Sequence, residues 1–257
     1  MKKMFALLLA LSMSLGLAAC GGQKADTDEK VKIGFTYYEP MNYTNEKGEF
    51  VGFETEFATA VYKKLGMTPD FQEINWDSKV MELDSKNIDC IWNGMTKTAE
   101  LDANITLTAP YLKNYQVVVI RAADAELYRS TADLENAKID AEAGSTGEDA
   151  VMADASLSKA SYTSVTKQVD ALLEVKTGAA DACVLDFVLA NAMVGQGDYS
   201  DLAVIPDLQL SVEEYVVGFR KGDELAKKVD QAMVELAEDG TLAELAEKYD
   251  LADLLVK

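Results

Sequence analysis

One unit of sequence that occurs twice constrains the fold of this chain more than any other feature. In Ile88–Trp92 and again in Asp181–Leu185, an aspartate leads into a short apolar run, and the two segments lie about ninety residues apart. Each follows apolar residues at helical spacing: Val80, Met81 and Leu83 before the first, and Val169, Leu172, Leu173 and Val175 before the second. Asn87 and Gly178 suit the left-handed turn that ends such a helix. Two copies of one helix–turn–strand plan predict two similar lobes with a cleft between them.

The rest of the chain alternates strand and helix patterns in the same way. Val31–Phe35 is rich in strand-forming residues, and apolar residues at helical spacing over 57–65 stop at Gly66. Lys138–Ala141 followed by Gly144–Glu148 has the pattern of a strand, a turn and a helix start. This alternation predicts the α/β fold class, built on parallel strands.

The N-terminal residues have the pattern of a secretory signal. Lys2 and Lys3 precede an apolar run over 4–17, which is too short to span a bilayer comfortably, since a span takes about 20 residues. The sequence Leu17-Ala-Ala-Cys20 resembles the lipobox of bacterial lipoproteins. It predicts a signal peptide over 1–19, acylation of Cys20 and a lipidated tether over 20–30. An ordinary secreted protein with an unmodified cysteine is the alternative.

The composition excludes several classes of function. The chain contains no histidine, so it cannot build a Ser-His-Asp or Cys-His nucleophile or an ordinary zinc site. The formal net charge of −20, without a basic patch, argues against nucleic-acid binding. We therefore predict no catalytic residues, no metal, no cofactor and no nucleic-acid partner.

Cys90 and Cys183 lie in predicted strands and are expected to be small buried residues. A disulfide between them is the alternative in an oxidising compartment.

Several short motifs occur in the order typical of polar amino-acid-binding proteins, the substrate-binding subunits of ABC importers. They are Val51–Glu54, Asn93–Thr96 with Thr98, Pro110-Tyr111, Gly144–Glu148, Asp186, Phe219–Lys221 and Asp239–Thr241. Over about 31–249 the chain thus resembles family 3 of the extracellular solute-binding proteins, of periplasmic-binding-protein type II. The resemblance implies two α/β lobes joined by a two-segment hinge, with the ligand in the cleft between them. Lobe one would be 31–114 and 213–257, lobe two 115–212, and the crossing segments would lie near 113–115 and 210–212.

The resemblance and the strand ends together indicate where a ligand binds. Tyr38 and Trp76 match the two aromatic side chains that sandwich the ligand in this family. Asn93, Gly94 and Thr96 follow a predicted strand, and ligands of α/β sheets bind beyond the carboxyl ends of strands. Ser145, Thr146 and Gly147 open a helix whose free N–H groups suit a carboxylate. Asp186 ends the second apolar strand, at the place where the family uses an aspartate for the ligand's ammonium group.

One position departs from the family pattern. The family places an arginine three residues after the threonine that matches Thr98, where it binds the ligand's α-carboxylate bidentately. Leu101 occupies that position here. Either another cation, with Lys97 and Lys79 the nearest in sequence, replaces the arginine, or the ligand lacks the usual carboxylate. Acidic residues near the predicted cleft, namely Glu39, Glu54 and Asp77, favour an amine-rich ligand.

The sequence therefore predicts a monomeric lipoprotein on the extracytoplasmic face of the cell membrane, either at a cell surface or in a periplasm. It would capture an amino acid or related amine by lobe closure and deliver it to the transmembrane permease subunits of an ABC importer.

A lyase on the same scaffold, similar to cyclohexadienyl dehydratase, is the first alternative, with Glu54, Glu73 or Asp186 as its general acid or base. A receptor's sensing module would be expected to carry a transmembrane helix after the lobes. A surface adhesin of similar fold is a further alternative.

Overall fold

The computed structural model describes residues 29–256. The predicted signal peptide, the lipidation site Cys20 and nearly all of the tether lie outside the described residues. The strands are β1 (Glu29–Phe35), β2 (Tyr43–Thr44), β3 (Phe50–Val51), β4 (Met67–Glu73), β5 (Cys90–Ile91), β6 (Thr106–Leu107), β7 (Leu112–Arg121), β8 (Lys138–Glu142), β9 (Ser161–Val165), β10 (Ala182–Asp186), β11 (Leu202–Val204), β12 (Val212–Tyr215) and β13 (Gly218–Phe219). None of the helices described is both long and apolar enough to cross a bilayer.

The helices alternate with these strands as the sequence predicts. They are α1 (Phe53–Lys64), α2 (Lys79–Asp84), α3 (Ala99–Asn104), α4 (Thr146–Ala153), α5 (Gln168–Thr177), α6 (Phe187–Met193), α7 (Leu225–Glu238) and α8 (Thr241–Lys248). Gly178 ends α5 with φ 79°, as predicted from its place in the sequence. The prediction of a left-handed Asn87 was wrong, because Lys86 takes that turn with φ 62° and the Asn87 amide donates to Glu82 instead.

The strands form two sheets of the same plan, which confirms the two-lobed α/β fold. The first sheet has the order β4-β1-β5-β13-β6, and the second has the order β11-β7-β10-β8-β9 with β12 also paired to β7. In each sheet three strands are parallel, β4-β1-β5 in the first and β9-β8-β10 in the second. The fourth strand, β13 or β7, is antiparallel, so the expectation of parallel strands holds only for the three strands on one side of each sheet.

The repeated aspartate performs the same task in both lobes. Asp89 accepts a 3.0 Å hydrogen bond from the backbone N–H of Lys32 and pairs with Arg220, whose guanidinium also donates to the carbonyl of Ile88. In the second lobe, Asp181 accepts from the backbone N–H of Lys138 at 2.9 Å and pairs with Arg121, which donates to the carbonyl of Ala180. Each arginine lies on or directly after the antiparallel strand. The aspartate therefore joins three strands of its sheet at the end opposite the cleft.

Two neighbouring segments connect the lobes. β12 pairs antiparallel with the first part of β7, with Tyr215 opposite Leu112 and Val212 opposite Tyr115. Beyond this point β7 continues into the second sheet, where Gln116 lies opposite Asp186 of β10. The strand that leaves the first lobe is therefore a central strand of the second.

Apolar side chains cover both faces of each sheet. Along β7, Val117 and Val119 belong to one buried cluster, while Val118 and Ile120 belong to another on the opposite face. A third buried cluster in the first lobe includes Trp76, Ile91 and Met95. Cys90 and Cys183 are buried and free, as expected of small residues in buried strands.

Candidate functional site

A cavity of about 340 Å³ lies between the two lobes, within the size range of small-molecule sites. Its lining includes eight of the nine residues that the sequence predicts for ligand binding. These eight are Tyr38, Trp76, Asn93, Gly94, Thr96, Ser145, Thr146 and Asp186. We refer to it as the interlobe cavity.

The aromatic wall of the cavity is fixed by contacts in the first lobe. Tyr38 is 2% exposed, and its hydroxyl lies 2.7 Å from the hydroxyl of Tyr215. Gly94 packs against the ring: it has φ 55°, and a Cβ there would lie 2.6 Å from Cε1 of Tyr38. Trp76 opens the short helical turn before α2, and the Lys79 ammonium lies 4.8 Å above its ring. Both aromatic side chains therefore face the cavity in fixed positions.

Asn93 lines the cavity, but its side chain is fully engaged within the protein. Its Oδ1 accepts from the backbone N–H and the hydroxyl of Thr36, at 3.0 and 2.9 Å. Its Nδ2 donates to the Thr36 carbonyl at 2.9 Å and to Oδ1 of Asn42 at 2.8 Å. The amide thus ties the end of β1 to the end of β5, and only the backbone of Asn93 is left to face a ligand.

A buried carboxylate holds the loop that follows Asn93. Both oxygens of Glu54 lie 2.9 Å from the backbone nitrogen of Gly94, and the Tyr111 hydroxyl donates to Oε1. Burial raises the pKa of Glu54 to about 7, against the lowering effect of these hydrogen bonds. Of the three acidic residues expected near the cleft, Asp77 lines the cavity, whereas Glu39 and Glu54 do not. The other carboxylates of the lining were not expected from the sequence, apart from Asp186.

The second lobe presents the start of α4 to the cavity. Ser145 is the N-cap, and its hydroxyl accepts from the backbone N–H of Glu148 at 3.2 Å. The Thr146 hydroxyl accepts from Gln116 at 3.1 Å. Gly147 does not line the cavity: a Cβ there would lie 2.9 Å from the carbonyl of Val184. Gly147 therefore lets α4 approach β10 closely, and the ligand contact predicted for it stays a prediction.

Asp186 lies at the floor of the cavity, 4% exposed, in a cradle of amide groups. Asn114 and Gln116 each donate to Oδ1 at 2.6 Å, and Gln168 donates to Oδ2. Glu213 accepts from the same two amides at 3.0 and 3.1 Å. Burial raises the pKa of Asp186, and the nearby Glu213 charge raises it further, while the amide donors oppose the shift. A ligand cation would relieve this cost of burial, because it favours the charged carboxylate.

A second buried carboxylate, Glu142, lines the cavity and was not among the predicted site residues. It ends β8, next to β10, and is 2% exposed. Its Oε1 is buried without a hydrogen-bond partner. Burial raises the pKa of Glu142 to about 8, with a contribution from the charge of Asp186 that Lys79 partly offsets. The rule that ligands bind beyond strand ends applies equally to this residue.

Leu101 also lines the cavity, where the family has its arginine. It follows the N-cap Thr98, whose hydroxyl accepts its backbone N–H at 3.1 Å, and it packs on the cluster around Trp76. Lys97 is exposed and outside the lining, whereas Lys79 lines the cavity. Among residues 29–256, Lys79 is the one cationic side chain in that lining, against the five carboxylates of Asp77, Glu100, Glu142, Asp149 and Asp186.

Two lobes of one plan, hinged by paired strands around a polar cavity, define the class of hinged solute-binding proteins. The model of the bacterial extracellular solute-binding proteins, family 3, matches residues 31–252. The chain belongs to this family.

Individual relatives agree with this assignment over most of the chain. The arginine-binding extracellular protein ArtP of Bacillus subtilis is 27% identical over 254 residues, which are 97% of this chain and 98% of ArtP. A substrate-binding protein of an ABC uptake transporter from Streptococcus pneumoniae, solved with bound histidine, is 30% identical with a TM-score of 0.81, over 90% of this chain and 96% of that one. The ancestral amino-acid-binding protein AncCDT-1, described as a precursor of cyclohexadienyl dehydratase, is 28% identical with a TM-score of 0.78, over 86% of this chain and 95% of that one.

Proposed function

We propose that this solute-binding protein captures an amino acid or a closely related amine and delivers it to the permease of an ABC importer. The observation that carries the proposal is the cavity floor, where Asp186 is buried, oriented by three amides and open to the cavity. A buried carboxylate in such a cradle is a binding group for a ligand ammonium, since charge-assisted hydrogen bonds are the strong ones. ArtP and the Streptococcus pneumoniae protein, by their descriptions, bind arginine and histidine.

The remaining predicted residues receive the rest of the ligand. Tyr38 and Trp76 bury its aliphatic stem, and the backbone of Gly94 with the Thr96 hydroxyl provides polar contacts from the first lobe. Ser145 and Thr146, at the start of α4, face an anionic or polar end. A ligand that touches both lobes stabilises the closed arrangement, and the permease recognises that form.

The wider setting follows from the same proposal. Lobe one comprises 31–114 and 213–257, and lobe two comprises 115–212. The chain is a monomer held on the extracytoplasmic face of the cell membrane by lipid on Cys20, after removal of residues 1–19. The two crossing segments are the first part of β7 and the residues that lead into β12.

A lyase is the second candidate function, because Glu142 lines the interlobe cavity and has a pKa raised to about 8, as suits a general acid. AncCDT-1 shows by its description that this fold and a dehydratase share ancestry. The sequence suggested three acids for such a reaction. Glu54 accepts from the backbone N–H of Gly94 and Glu73 pairs with Lys167, and neither lines the cavity. Asp186 is the one of the three that lines it. We favour binding without turnover, and incubation of each bound candidate ligand followed by product analysis separates the two functions.

The first test of the proposed function is a thermal-shift screen of the purified protein against common amino acids and amines. Ligand at a hundred times its dissociation constant adds about 2.7 kcal/mol to the free energy of unfolding, which is readily seen as a higher melting temperature. A shift with at least one compound supports the proposal. The absence of any shift across both sets contradicts the assigned class of ligand.

A further inference from the structure

Glu142 offers the cavity a second carboxyl group, and one of its oxygens, Oε1, is buried without a hydrogen-bond partner among residues 29–256. The carboxylate is 2% exposed, its Oε1 makes no hydrogen bond, and the residue lines the interlobe cavity. A buried acceptor that stays unpaired destabilises the protein, so this position favours a bound hydrogen-bond donor. Because no donor among residues 29–256 reaches this oxygen, a donor carried by a bound molecule would satisfy it.

The nearest cation of the protein does not fill this place. Within residues 29–256, the hydrogen bonds of the Lys79 ammonium go to the carbonyls of Gly144 at 2.8 Å and Trp76 at 3.3 Å, and none goes to Glu142. Asp186 is the other deep carboxylate, and its three amide donors already orient it for a ligand. Asp77, Glu100 and Asp149 add negative charge from exposed positions at the cavity wall.

Resting on the proposed function, we infer that the solute carries two cationic groups, one bound by Asp186 and the other by Glu142, so that Glu142 is a specificity-determining residue. The solute is then a compact diamine, or an amino acid with an amine or guanidine in its side chain. Two deep carboxylates within one cavity of about 340 Å³ suit such a molecule better than a neutral side chain. The second cation pairs with an acceptor that otherwise stays unsatisfied, which gives selectivity as well as affinity.

Matched pairs of probes isolate the second cation. Isothermal titration at pH 8 compares 1,4-diaminobutane with butylamine, and ornithine with its neutral analogue norvaline. One of the two pairs will bind more tightly than the other. Within that pair, we expect the compound with two cationic groups to bind at least ten-fold more tightly than its partner with one. Glu142→Gln, which keeps the size of the side chain, removes that difference, while Glu142→Asp, which keeps the charge, retains part of it.

Glu126→Gln is the matched control, because Glu126 is an exposed carboxylate of the second lobe outside the cavity lining. It removes the same charge and leaves the ratio within each pair unchanged. Melting curves of all variants establish that they are folded before titration. Equal binding of both members of a pair, or a preference that survives Glu142→Gln, overturns the inference and leaves the proposed function intact. Failure of every amine and amino acid to bind refutes the proposed function itself.

Discussion

The ammonium of Lys79 donates a 2.8 Å hydrogen bond to the carbonyl of Gly144, and this bond joins the two lobes across the mouth of the cavity. The contact is close, since a Cβ on Gly144 would lie 2.9 Å from Cα of Asp77. Lys79 lies three residues after the cavity-lining Trp76, and Gly144 precedes the start of α4. The lobes therefore meet through residues that line the interlobe cavity.

Removing this bond is expected to open the lobes in the absence of ligand. We expect Lys79→Met to increase the radius of gyration of the ligand-free protein, measured by small-angle X-ray scattering, because the link to Gly144 is lost. Lys97→Met is the control, since Lys97 is exposed and outside the cavity lining. An unchanged radius in the Lys79 variant would show that other contacts hold the lobes together.

The carboxylate of Asp186 is expected to carry most of the affinity for the ligand ammonium. A hydrogen bond to a charged group contributes about 1.5–3 kcal/mol, so Asp186→Asn should weaken binding by about ten- to a hundred-fold in isothermal titration. Asp198→Asn removes an exposed carboxylate of the same lobe and should leave binding unchanged. Undiminished affinity in the Asp186 variant would assign the ammonium to another group.

Restoring the family's arginine tests the role of Leu101. With Leu101→Arg we expect lysine to gain about ten-fold in affinity relative to 1,5-diaminopentane, which is lysine without its carboxylate. Leu101→Met keeps an apolar side chain of similar size and should leave this ratio unchanged. If the arginine variant also leaves the ratio unchanged, then position 101 does not face the carboxylate in this protein.

Gly94 is expected to be required for the position of Tyr38. Gly94→Ala places a Cβ 2.6 Å from the Tyr38 ring at a residue with φ 55°. Gly178→Ala is the control, because Gly178 has φ 79° and a Cβ there meets no atom within 4 Å. It therefore measures the conformational cost of a left-handed alanine alone, about 1–2 kcal/mol. We expect Gly94→Ala to lower the melting temperature and ligand affinity more than Gly178→Ala does. Equal effects of the two variants would mean that the Tyr38 ring adjusts without loss.

The stability of the ligand-free protein is expected to fall as the pH rises from about 5 to 8. Glu142 has a usual pKa of 4.5 and a folded value of about 8, so the folded state binds the extra proton across this window. Linkage then lowers the free energy of unfolding with rising pH, by up to about 1.4 kcal/mol per pH unit for one proton. Glu142→Gln should flatten the dependence of melting temperature on pH. A slope as steep as that of the unmodified protein would contradict the shift at Glu142, and Glu126→Gln serves as the control for charge alone.

Much of the fold could be predicted from the sequence, because helical spacing and turn residues are local signals. The two copies of the aspartate–strand unit correctly indicated two lobes, since Asp89 and Asp181 perform the same structural task. The antiparallel strands β13 and β7 were not predicted, because the direction of a strand depends on pairing with distant residues rather than on its own pattern.

The candidate site could be predicted only in part, because the sequence signals that indicate it are also local. Residues at the ends of recognised strands, such as Asp186, lie at the cavity as expected. Glu142 was missed because the sequence pattern ended its strand one residue earlier, at Ala141. The engagement of Asn93 with Thr36 and Asn42 could not be predicted either, since hydrogen-bond partners fifty residues apart leave no local signal.

The hinge strand β7 has a consequence for how this protein can change over evolution. Asn114 and Gln116 lie on the segment that connects the lobes, and their amides orient both Asp186 and Glu213. A substitution at either amide is therefore expected to move the cavity-lining Asp186 and to alter the packing of the connecting strands at the same time. New specificities should arise more readily at Leu101 or Glu142, which line the cavity from outside the connecting strands, than at residues that hold both the hinge and a cavity-lining side chain.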